Sequence, residues 1–376
     1  MKIGITCYPV AGGSGIVATE LGQQLAQRGH EVHFVSYALP FRLDRYQASL
    51  MYHGVETTAY PLFKYPPYTL TLAAKMADVA RNFDLDLFHV HYAIPHAACA
   101  FLAKQLLTDT MERPPKIITT LHGTDITLVG SDPSFYDIAR FSILASDGIT
   151  AVSKYLADET AEVFKIDKEI RVIHNFIDGD RFKPSTTQCC RSEFAAEDEF
   201  LIAHVSNFRP VKRTLDVIDI FGKIAAELPA KLLLVGEGPD MILARRQIKR
   251  KNLTDRVIFL GNQSRVEAIL PCADLFLIPS EEESFGLAAL EALSCGVPVI
   301  GTAGTGLVEV IEDFKNGFLL PVGDTASMAR AAVALLRDPQ RLAAFKLDAA
   351  RSARERFASD KIVTQYEQHY REVLDA

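Results

Sequence analysis

The amino-acid sequence predicts an α/β protein of two doubly wound, Rossmann-like domains that face a cleft between them. Strand-like apolar segments alternate with helical segments along nearly the whole chain, which is typical of parallel strands joined by crossover helices. The alternation comes in two series, separated by a polar stretch at about 178–197 that lacks apolar periodicity. The chain also has 376 residues, more than one hydrophobic core usually serves.

Each series contains enough strands for an open parallel sheet. The first has predicted strands at 3–7, 31–35, 87–90, 117–121, 148–152 and 170–173. The second has predicted strands at 200–205, 231–235, 257–260, 275–278 and 297–300, with helices near 214–227, 239–251, 264–270 and 286–295. We therefore predict an N-terminal domain over 1–177, a C-terminal domain over 178–355 and a final helix over 356–376 that crosses back to the N-terminal domain.

Composition and charge narrow the function classes. Hydrophobic residues make up 48% and charged residues 23% of the chain, which is typical of a globular protein and excludes a disordered or fibrous one. The net charge of −7 argues against nucleic-acid binding through a basic surface. No apolar run is long enough for a membrane span or a signal peptide. The six cysteines, including the adjacent Cys189 and Cys190, form no CxxC pair. We expect a cytoplasmic protein without a disulfide framework, structural zinc or stable membrane association.

A glycine-rich turn, residues 12–15, follows the first predicted strand and begins a helix. Backbone amides at such a helix start can face an anion, which makes Gly13 and Ser14 candidate ligand-binding residues. A dinucleotide site would also need an acidic residue after the second strand, and residues 36–40 contain none. A tight turn that needs glycine for its geometry alone remains the alternative.

Two carboxylates lie around the start of the predicted helix 286–295. Glu283 precedes the helix and Glu291 lies about two turns further on, so both can face one ligand. Carboxylates suit sugar hydroxyls, and the amides at the helix start suit phosphate oxygens. The candidates for the amide contacts are Ser284, Phe285, Gly286 and Leu287. A solvated helix face is the alternative.

A basic loop follows the first strand of the second series. It contains Asn207, Arg209 and Lys212, just beyond the carboxyl end of a strand in an acidic protein. We interpret the cations as groups that neutralise a diphosphate, with an ordinary surface loop as the alternative.

Histidines end two strands of the first series. His122 follows Thr120 and Leu121, where it can contact a sugar or take part in proton movement, or can be structural. His89, His91 and His96 form a His-x-His pattern that suggests metal, but no carboxylate or cysteine set has familiar ligand spacing. We therefore predict no metal and no other cofactor.

Four features in this order resemble glycosyltransferase family 4, a retaining family with the GT-B fold. They are the basic loop ending at Lys212, residues 236–239, residues 261–263 and the Glu283/Glu291 pair. The match covers nearly the whole chain. It implies a UDP-sugar glycosyltransferase whose N-terminal domain binds the acceptor and whose C-terminal domain binds the donor.

Further segments resemble the members of that family that transfer N-acetylglucosamine to L-malate in the first step of bacillithiol biosynthesis. These segments are 3–9, 63–68, 91–96, 121–127 and 205–209. The resemblance implies UDP-N-acetylglucosamine as donor and L-malate as acceptor. Ser206 and Asn207 stand where many family members have Gly-Arg, which puts in doubt whether Asn207 or Arg209 contacts the diphosphate.

The resemblance also implies roles for individual residues. The catalytic set is His122, Glu283, Arg209 and Lys212. The donor-binding set is Gly13, Ser14, Gly236, Gln263, Ser284, Phe285, Gly286, Leu287 and Glu291. For an acceptor with two carboxylates we predict two cations, Lys64 and Arg140, with Tyr92, Thr120 and Asn207 as hydrogen-bond partners. An ordinary surface position is the alternative for Lys64 and for Arg140.

Three other functions remain open at this stage. They are a family 4 transferase with a lipid or sugar acceptor, a UDP-N-acetylglucosamine 2-epimerase and a non-catalytic nucleotide-sugar binding protein. A lipid acceptor would favour a basic amphipathic helix, and residues 70–81 are only weakly of that kind. The oligomeric state is also open, a homodimer included.

Overall fold

A computed structural model describes residues 1–10, 12–43, 47–57, 64–127, 132–184 and 191–376, without the side chains of Asp125 and Thr127. Phe63 and the Cys189-Cys190 pair lie outside the described residues. The chain divides into two compact units. Unit 1 comprises Met1–Asn175 and Asp360–Ala376, and unit 2 comprises Phe176–Ser359.

Each unit is built on a parallel sheet with the same strand order. Over the described residues, the sheet of unit 1 has the order β3-β2-β1-β4-β5-β6-β7 and that of unit 2 the order β10-β9-β8-β11-β12-β13. The strands of unit 1 are β1 Lys2–Thr6, β2 Glu31–Ser36, β3 Leu50–Gly54, β4 Leu87–His91, β5 Lys116–Leu121, β6 Gly148–Ala151 and β7 Arg171–Val172. Those of unit 2 are β8 Phe200–Val205, β9 Ala230–Val235, β10 Val257–Gly261, β11 Leu275–Ile278, β12 Val299–Thr302 and β13 Gly317–Leu320.

Helices connect the strands and cover the sheets. In the described ranges they are α1 Gly13–Gln27, α2 Tyr68–Phe83, α3 Ala98–Leu107, α4 Thr124–Thr127, α5 Pro133–Leu144, α6 Lys154–Phe164, α7 Thr214–Ala225, α8 Met241–Arg250, α9 Leu287–Ser294, α10 Thr325–Leu336, α11 Pro339–Phe357 and α12 Ser359–Asp375. The prediction of two doubly wound, Rossmann-like domains is confirmed. None of these helices is both long and apolar enough to cross a membrane.

The strand order creates one switch point in each sheet. In unit 1, β1 lies between β2 and β4, so the chain leaves β1 towards one side and β4 towards the other. In unit 2, β8 lies between β9 and β11 in the same way. Ligands of open α/β sheets bind outside the carboxyl ends of the strands at such a point. We therefore expect ligand sites in the loops after β1, β4, β8 and β11.

The C-terminal helix α12 packs on unit 1. The guanidinium of Arg28 pairs with Asp360 at 3.1 Å and with Glu367 at 2.9 Å. Further along the helix, the Tyr370 hydroxyl lies 2.7 Å from Nδ1 of the buried His89. Both Tyr366 and Tyr370 are fully buried, so this helix is part of the core of unit 1.

The structure differs from the sequence-based expectation in three places. Strands β3 and β13 were not predicted, and the helix predicted at 264–270 is replaced by two short 3₁₀ turns, Val266–Ala268 and Leu270–Cys272. Apolar runs this short do not separate a helix from a turn.

Candidate active site

The loops after β8 and β11 hold the predicted cationic and acidic residues of unit 2. Nζ of Lys212 lies 2.6 Å from Oε1 of Glu283, an oxygen that also accepts a hydrogen bond from the Ser280 hydroxyl at 2.9 Å. Both side chains are mostly buried, with 22% and 11% exposure. The backbones meet as well, since Glu281 N–H donates to the Val211 carbonyl at 2.8 Å. The fold thus brings two predicted site residues together at the switch point.

Arg209 and Asn207 lie in the same loop with exposed side chains. The Arg209 carbonyl accepts a hydrogen bond from Lys212 N–H at 2.8 Å, which closes a 3₁₀ turn over Pro210–Lys212. Within the described ranges, Arg209 makes no ion pair. Its charge is therefore available to an anionic ligand.

Helix α9 begins directly after the loop that carries Glu283. Gly286, the residue before the helix, has φ of +95° and offers no capping side chain. A Cβ atom there would lie 2.4 Å from Leu307, so the position requires glycine. The first-turn amides of a helix lack intrahelical acceptors and can donate to phosphate oxygens. We call Asn207, Arg209, Lys212, Glu283 and residues 284–287 the unit 2 cluster.

Two predicted donor-binding residues of α9 and its loop are buried. Phe285 is 2% exposed and makes an edge contact with Phe357 at 5.4 Å between ring centroids. Glu291 is 5% exposed inside α9. Phe285 can therefore offer a ligand its backbone but not its ring.

Gly236 and Gln263 follow β9 and β10. At Gly236 a Cβ atom would lie 1.9 Å from the Ser206 carbonyl oxygen, and at Gly238 it would lie 1.9 Å from that of Asn207. These glycines let the loop after β9 pack backbone against backbone on the loop after β8. Gln263 is exposed, and its Nε2 donates to the Leu260 carbonyl at 2.5 Å.

In unit 1, the glycine-rich turn begins α1. A Cβ atom on Gly15 would lie 2.5 Å from the Tyr8 carbonyl oxygen, whereas one on Gly13 would have no atom within 4 Å. Close packing thus explains Gly15, while Gly13 faces open space. The Ser14 hydroxyl donates to the Tyr92 hydroxyl at 3.0 Å, which joins the loops after β1 and β4.

His122, which is half-buried, lies beside buried histidines at the carboxyl ends of β4 and β5. Nε2 of His122 lies 2.8 Å from Nδ1 of His91, and His96 Nδ1 donates to the His91 carbonyl at 2.5 Å. Burial lowers the pKa of His122 to about 3 and that of His96 to about 4. At neutral pH these rings are therefore uncharged. We call Ser14, His91, Tyr92 and His122 the unit 1 cluster.

Thr120 is fully buried, although the sequence placed it among acceptor-binding residues. Its hydroxyl lies 2.6 Å from His89 Nε2 and 2.6 Å from the Thr150 hydroxyl. The side chain is buried because β5 is covered on both sides. Its carbonyl oxygen, which accepts from Tyr92 N–H at 3.0 Å, connects it to the unit 1 cluster.

Among the contacts of the described residues, neither predicted acceptor cation is hydrogen-bonded to the unit 1 cluster. Lys64 is exposed, with Nζ 5.5 Å from the ring centroid of Tyr65. Arg140 is half-buried, and its Nε donates to the Phe164 carbonyl at the end of α6 at 2.9 Å. Arg140 therefore caps a helix end, a role that the sequence did not indicate.

Two family models match the chain. One described as Glycosyltransferase Family 4 covers residues 11–181, and one described as Glycosyl transferases group 1 covers residues 190–352. The N-acetyl-alpha-D-glucosaminyl L-malate synthase of Bacillus anthracis is 50% identical over 376 residues, 100% of this chain and 97% of the relative. The chain belongs to glycosyltransferase family 4. The predicted family and the prediction of a glycosyltransferase are thus confirmed.

Another curated relative and two solved structures are also similar to this chain. The D-inositol 3-phosphate glycosyltransferase 2 of Catenulispora acidiphila is 27% identical over 376 residues, 91% of this chain and 86% of the relative. Two solved structures share the fold at 21% identity. Alr3699/HepE of Anabaena, in complex with UDP and glucose, has a TM-score of 0.82 with 98% and 99% of the two chains covered. Sucrose-phosphate synthase of Thermosynechococcus elongatus has a TM-score of 0.81 with 100% and 99% covered.

Sequence reasoning on this glycosyltransferase missed residues that hold the clusters in place. Gly306 donates its N–H to the Glu283 carbonyl at 2.7 Å, and His204 and Ser280 bond to residues of the loops after β8 and β11. The His-x-His pattern had drawn attention to His91, but as a metal ligand rather than as the partner of His122. Among the described residues, no three His, Cys, Asp or Glu side chains form a group that could hold a metal ion.

Proposed function

We propose that the chain transfers N-acetylglucosamine from UDP-N-acetylglucosamine to the hydroxyl of L-malate, with retention at the anomeric carbon, as the first step of bacillithiol biosynthesis. The observation that carries this proposal is the 50% identity, over the full chain, to an N-acetyl-alpha-D-glucosaminyl L-malate synthase. The chemistry of the two clusters is consistent with it.

The unit 2 cluster has the groups that a nucleotide diphosphate needs. Arg209, Lys212 and the first amides of α9 provide positive charge and N–H donors for the phosphate oxygens. The Lys212 ammonium has three donors, and the hydrogen bond to Glu283 leaves two for the ligand. In this proposal Gly236 and Gln263 lie beside the uracil, and Glu291 binds the ribose hydroxyls.

Glu283 contacts sugar hydroxyls rather than attacking the anomeric carbon. A retaining double displacement would need a carboxylate nucleophile beside the anomeric carbon. The resemblance to family 4 instead implies that Glu283, whose Oε1 is engaged by Lys212 and Ser280, lies near the sugar hydroxyls. We therefore assign retention to attack from the face of the leaving group. The bond from the anomeric carbon to the phosphate oxygen breaks, the bond to the malate oxygen forms, and the malate hydroxyl proton passes to the departing diphosphate.

Charge stabilisation in this step falls to two groups of residues. Arg209, Lys212 and the α9 amides stabilise the negative charge on the departing UDP. His122 contacts the sugar, and its ring is neutral because burial lowers its pKa to about 3. A neutral ring does not repel the positive charge that develops on the sugar. Because these residues supply the charge stabilisation, the proposed reaction needs no metal.

The acceptor carries two carboxylates and therefore needs cations and hydrogen-bond donors. Lys64 and Arg140 are the cations that we propose, with Tyr92 and Asn207 as donors. Arg140 retains free N–H groups, since only its Nε is used to cap α6. Thr120 contributes indirectly, through the hydrogen bond between its carbonyl and Tyr92 N–H.

One assay tests the proposal against its alternatives. The protein is incubated with UDP-N-acetylglucosamine in the presence and absence of L-malate, and UDP release and product mass are measured. We expect malate-dependent UDP release and a product with the mass of malate plus one N-acetylglucosamine residue. Epimerised donor without malate indicates an epimerase, and binding without turnover indicates a nucleotide-sugar binding protein. Turnover with a lipid or another sugar, and none with malate, contradicts the acceptor assignment.

A further inference from the structure

A fully buried histidine lies directly before the loop that carries Arg209 and Lys212. His204 is on β8, with its Nδ1 2.8 Å from the Leu277 carbonyl oxygen of β11. Its Nε2 lies 2.8 Å from the hydroxyl of Ser206, the first residue beyond the strand. The Ser206 oxygen in turn accepts a hydrogen bond from the backbone N–H of Phe208 at 3.2 Å. The imidazole therefore links both switch-point strands to the loop.

The direction of each hydrogen bond can be assigned in this network, which runs from Leu277 through His204 and Ser206 to Phe208. Burial lowers the pKa of His204 to about 4, so the ring is neutral at pH 7 and carries one proton. A carbonyl oxygen can only accept, which places the proton on Nδ1. Nε2 then accepts from the Ser206 hydroxyl, whose oxygen remains free to accept from Phe208 N–H. All three groups are satisfied at once.

Phe208, the last residue of this hydrogen-bond network, has a strained backbone. Phe208 has φ of +39°, in the left-handed region that bulky side chains rarely occupy. Its ring is fully buried and stacks on the His204 ring at 6.1 Å between centroids, with an interplanar angle of 15°. Such a conformation persists only where surrounding contacts hold it, and the Ser206 hydrogen bond is one of them.

We propose that His204 and Ser206 are positioning residues of the unit 2 cluster, which hold Phe208 in its left-handed turn and thereby aim Arg209 and Lys212 at the diphosphate. This inference rests on the donor site of the proposed function. It also accounts for a departure from the family pattern. Ser206 stands where many members have glycine, which has no hydroxyl to link a histidine to the loop.

The affinity for UDP, measured by titration calorimetry without malate, tests the inference. We expect Ser206→Ala and His204→Phe each to weaken UDP binding about tenfold, the effect of one lost hydrogen bond to an ordered loop. Ser206→Thr keeps the hydroxyl and should stay within about twofold of the wild type. The variant that combines Ser206→Ala with His204→Phe should bind UDP no more weakly than either single variant. Both substitutions interrupt the same hydrogen-bond network.

A matched control separates positioning from general stability. Ser352, on α11 of unit 2, is also buried and accepts a side-chain hydrogen bond from Asn316 at 2.8 Å, but it is not part of the cluster. Ser352→Ala should leave UDP affinity unchanged. Unchanged affinity in Ser206→Ala, or an equal loss in Ser352→Ala, overturns the inference. If His204→Phe does not fold, the Ser206→Ala and Ser206→Thr pair decides alone. Since UDP binding needs no acceptor, failure to use malate leaves this test intact.

Discussion

Lys212 and Glu283 form an ion pair, 2.6 Å long, between residues that are far apart in the sequence and lie at the carboxyl ends of adjacent strands. The lysine follows β8 and the glutamate follows β11, the two strands that flank the switch point of unit 2. The ion pair holds the Lys212 ammonium at one end of the proposed diphosphate site, with Oε1 of Glu283 turned towards that ammonium.

Glu283→Gln should lower kcat by roughly one to two orders of magnitude while the protein remains folded. Glutamine keeps the volume but loses the charge-assisted bond to Lys212, so both the lysine and the sugar hydroxyls are held less firmly. The measurement is steady-state kinetics with a thermal unfolding curve for each variant. Glu282→Gln is the matched control, because its side chain is exposed in the same loop. Unchanged kcat in Glu283→Gln would remove this residue from the site.

Lys64→Ala and Arg140→Ala should raise the KM for malate about tenfold or more and leave the KM for the donor unchanged, because each removes a cation from a dicarboxylate. Arg140→Ala should also lower the melting temperature, since the Phe164 carbonyl loses its cap. Arg113→Ala, an exposed cation of the same unit, is the control. If both variants keep the wild-type malate KM, the acceptor assignment fails.

Two glycines of the first turn should respond differently to alanine. Gly15→Ala should destabilise unit 1 by about 1–3 kcal/mol, because a Cβ atom would lie 2.5 Å from the Tyr8 carbonyl oxygen. Gly13→Ala should leave the free energy of unfolding nearly unchanged, because that site is open. Urea unfolding of both variants provides the comparison. If both variants were destabilised equally, the close approach to the Tyr8 carbonyl oxygen would not be the reason that position 15 requires glycine.

Unit 1 should lose stability as the pH falls below about 6.5. Burial lowers the pKa of His89 to about 3 and that of His96 to about 4, whereas a histidine in an unfolded chain has a pKa near 6.5. Between pH 6.5 and about 4 the unfolded chain therefore binds more protons than the folded one. The stability due to neutral burial is complete above pH 6.5 and falls by about 1.4 kcal/mol per pH unit for each such histidine.

Amide hydrogen exchange of β4 and β5 at pH 7.5 and 5.5, corrected for intrinsic exchange rates, measures this loss. His96→Gln should reduce the slope by about one proton, since glutamine does not titrate. A stability that does not change between the two pH values would contradict the assignment of neutral, buried rings.

Most strands and the loops that follow them could be predicted because they show in local patterns. Apolar runs and the helix punctuation at Gly296 and Pro298 are visible along the chain. Residues at strand ends, such as Lys212 and His122, could be selected because parallel sheets bind ligands there. The edge strand β3 was missed because only its first residue, Leu50, is fully buried, which leaves no clear alternation.

Long-range partners could not be predicted in the same way. Nothing local shows that Lys212 pairs with Glu283, that Arg140 caps α6, or that His204 holds the Ser206 hydroxyl. The burial of Thr120 is likewise not visible in the sequence, because it follows from the packing of both faces of β5. Each of these contacts depends on how elements pack, and local periodicity does not encode it.

The central claim is that Arg209, Lys212 and the first amides of α9 bind the diphosphate of the donor. The most direct test compares UDP with UMP by titration calorimetry in the wild type, Arg209→Gln and Lys212→Gln. We predict that the wild type prefers UDP by about tenfold or more, and that each variant loses most of that preference while its affinity for UMP stays nearly constant. A UDP-to-UMP ratio that is the same in all three proteins would contradict the claim.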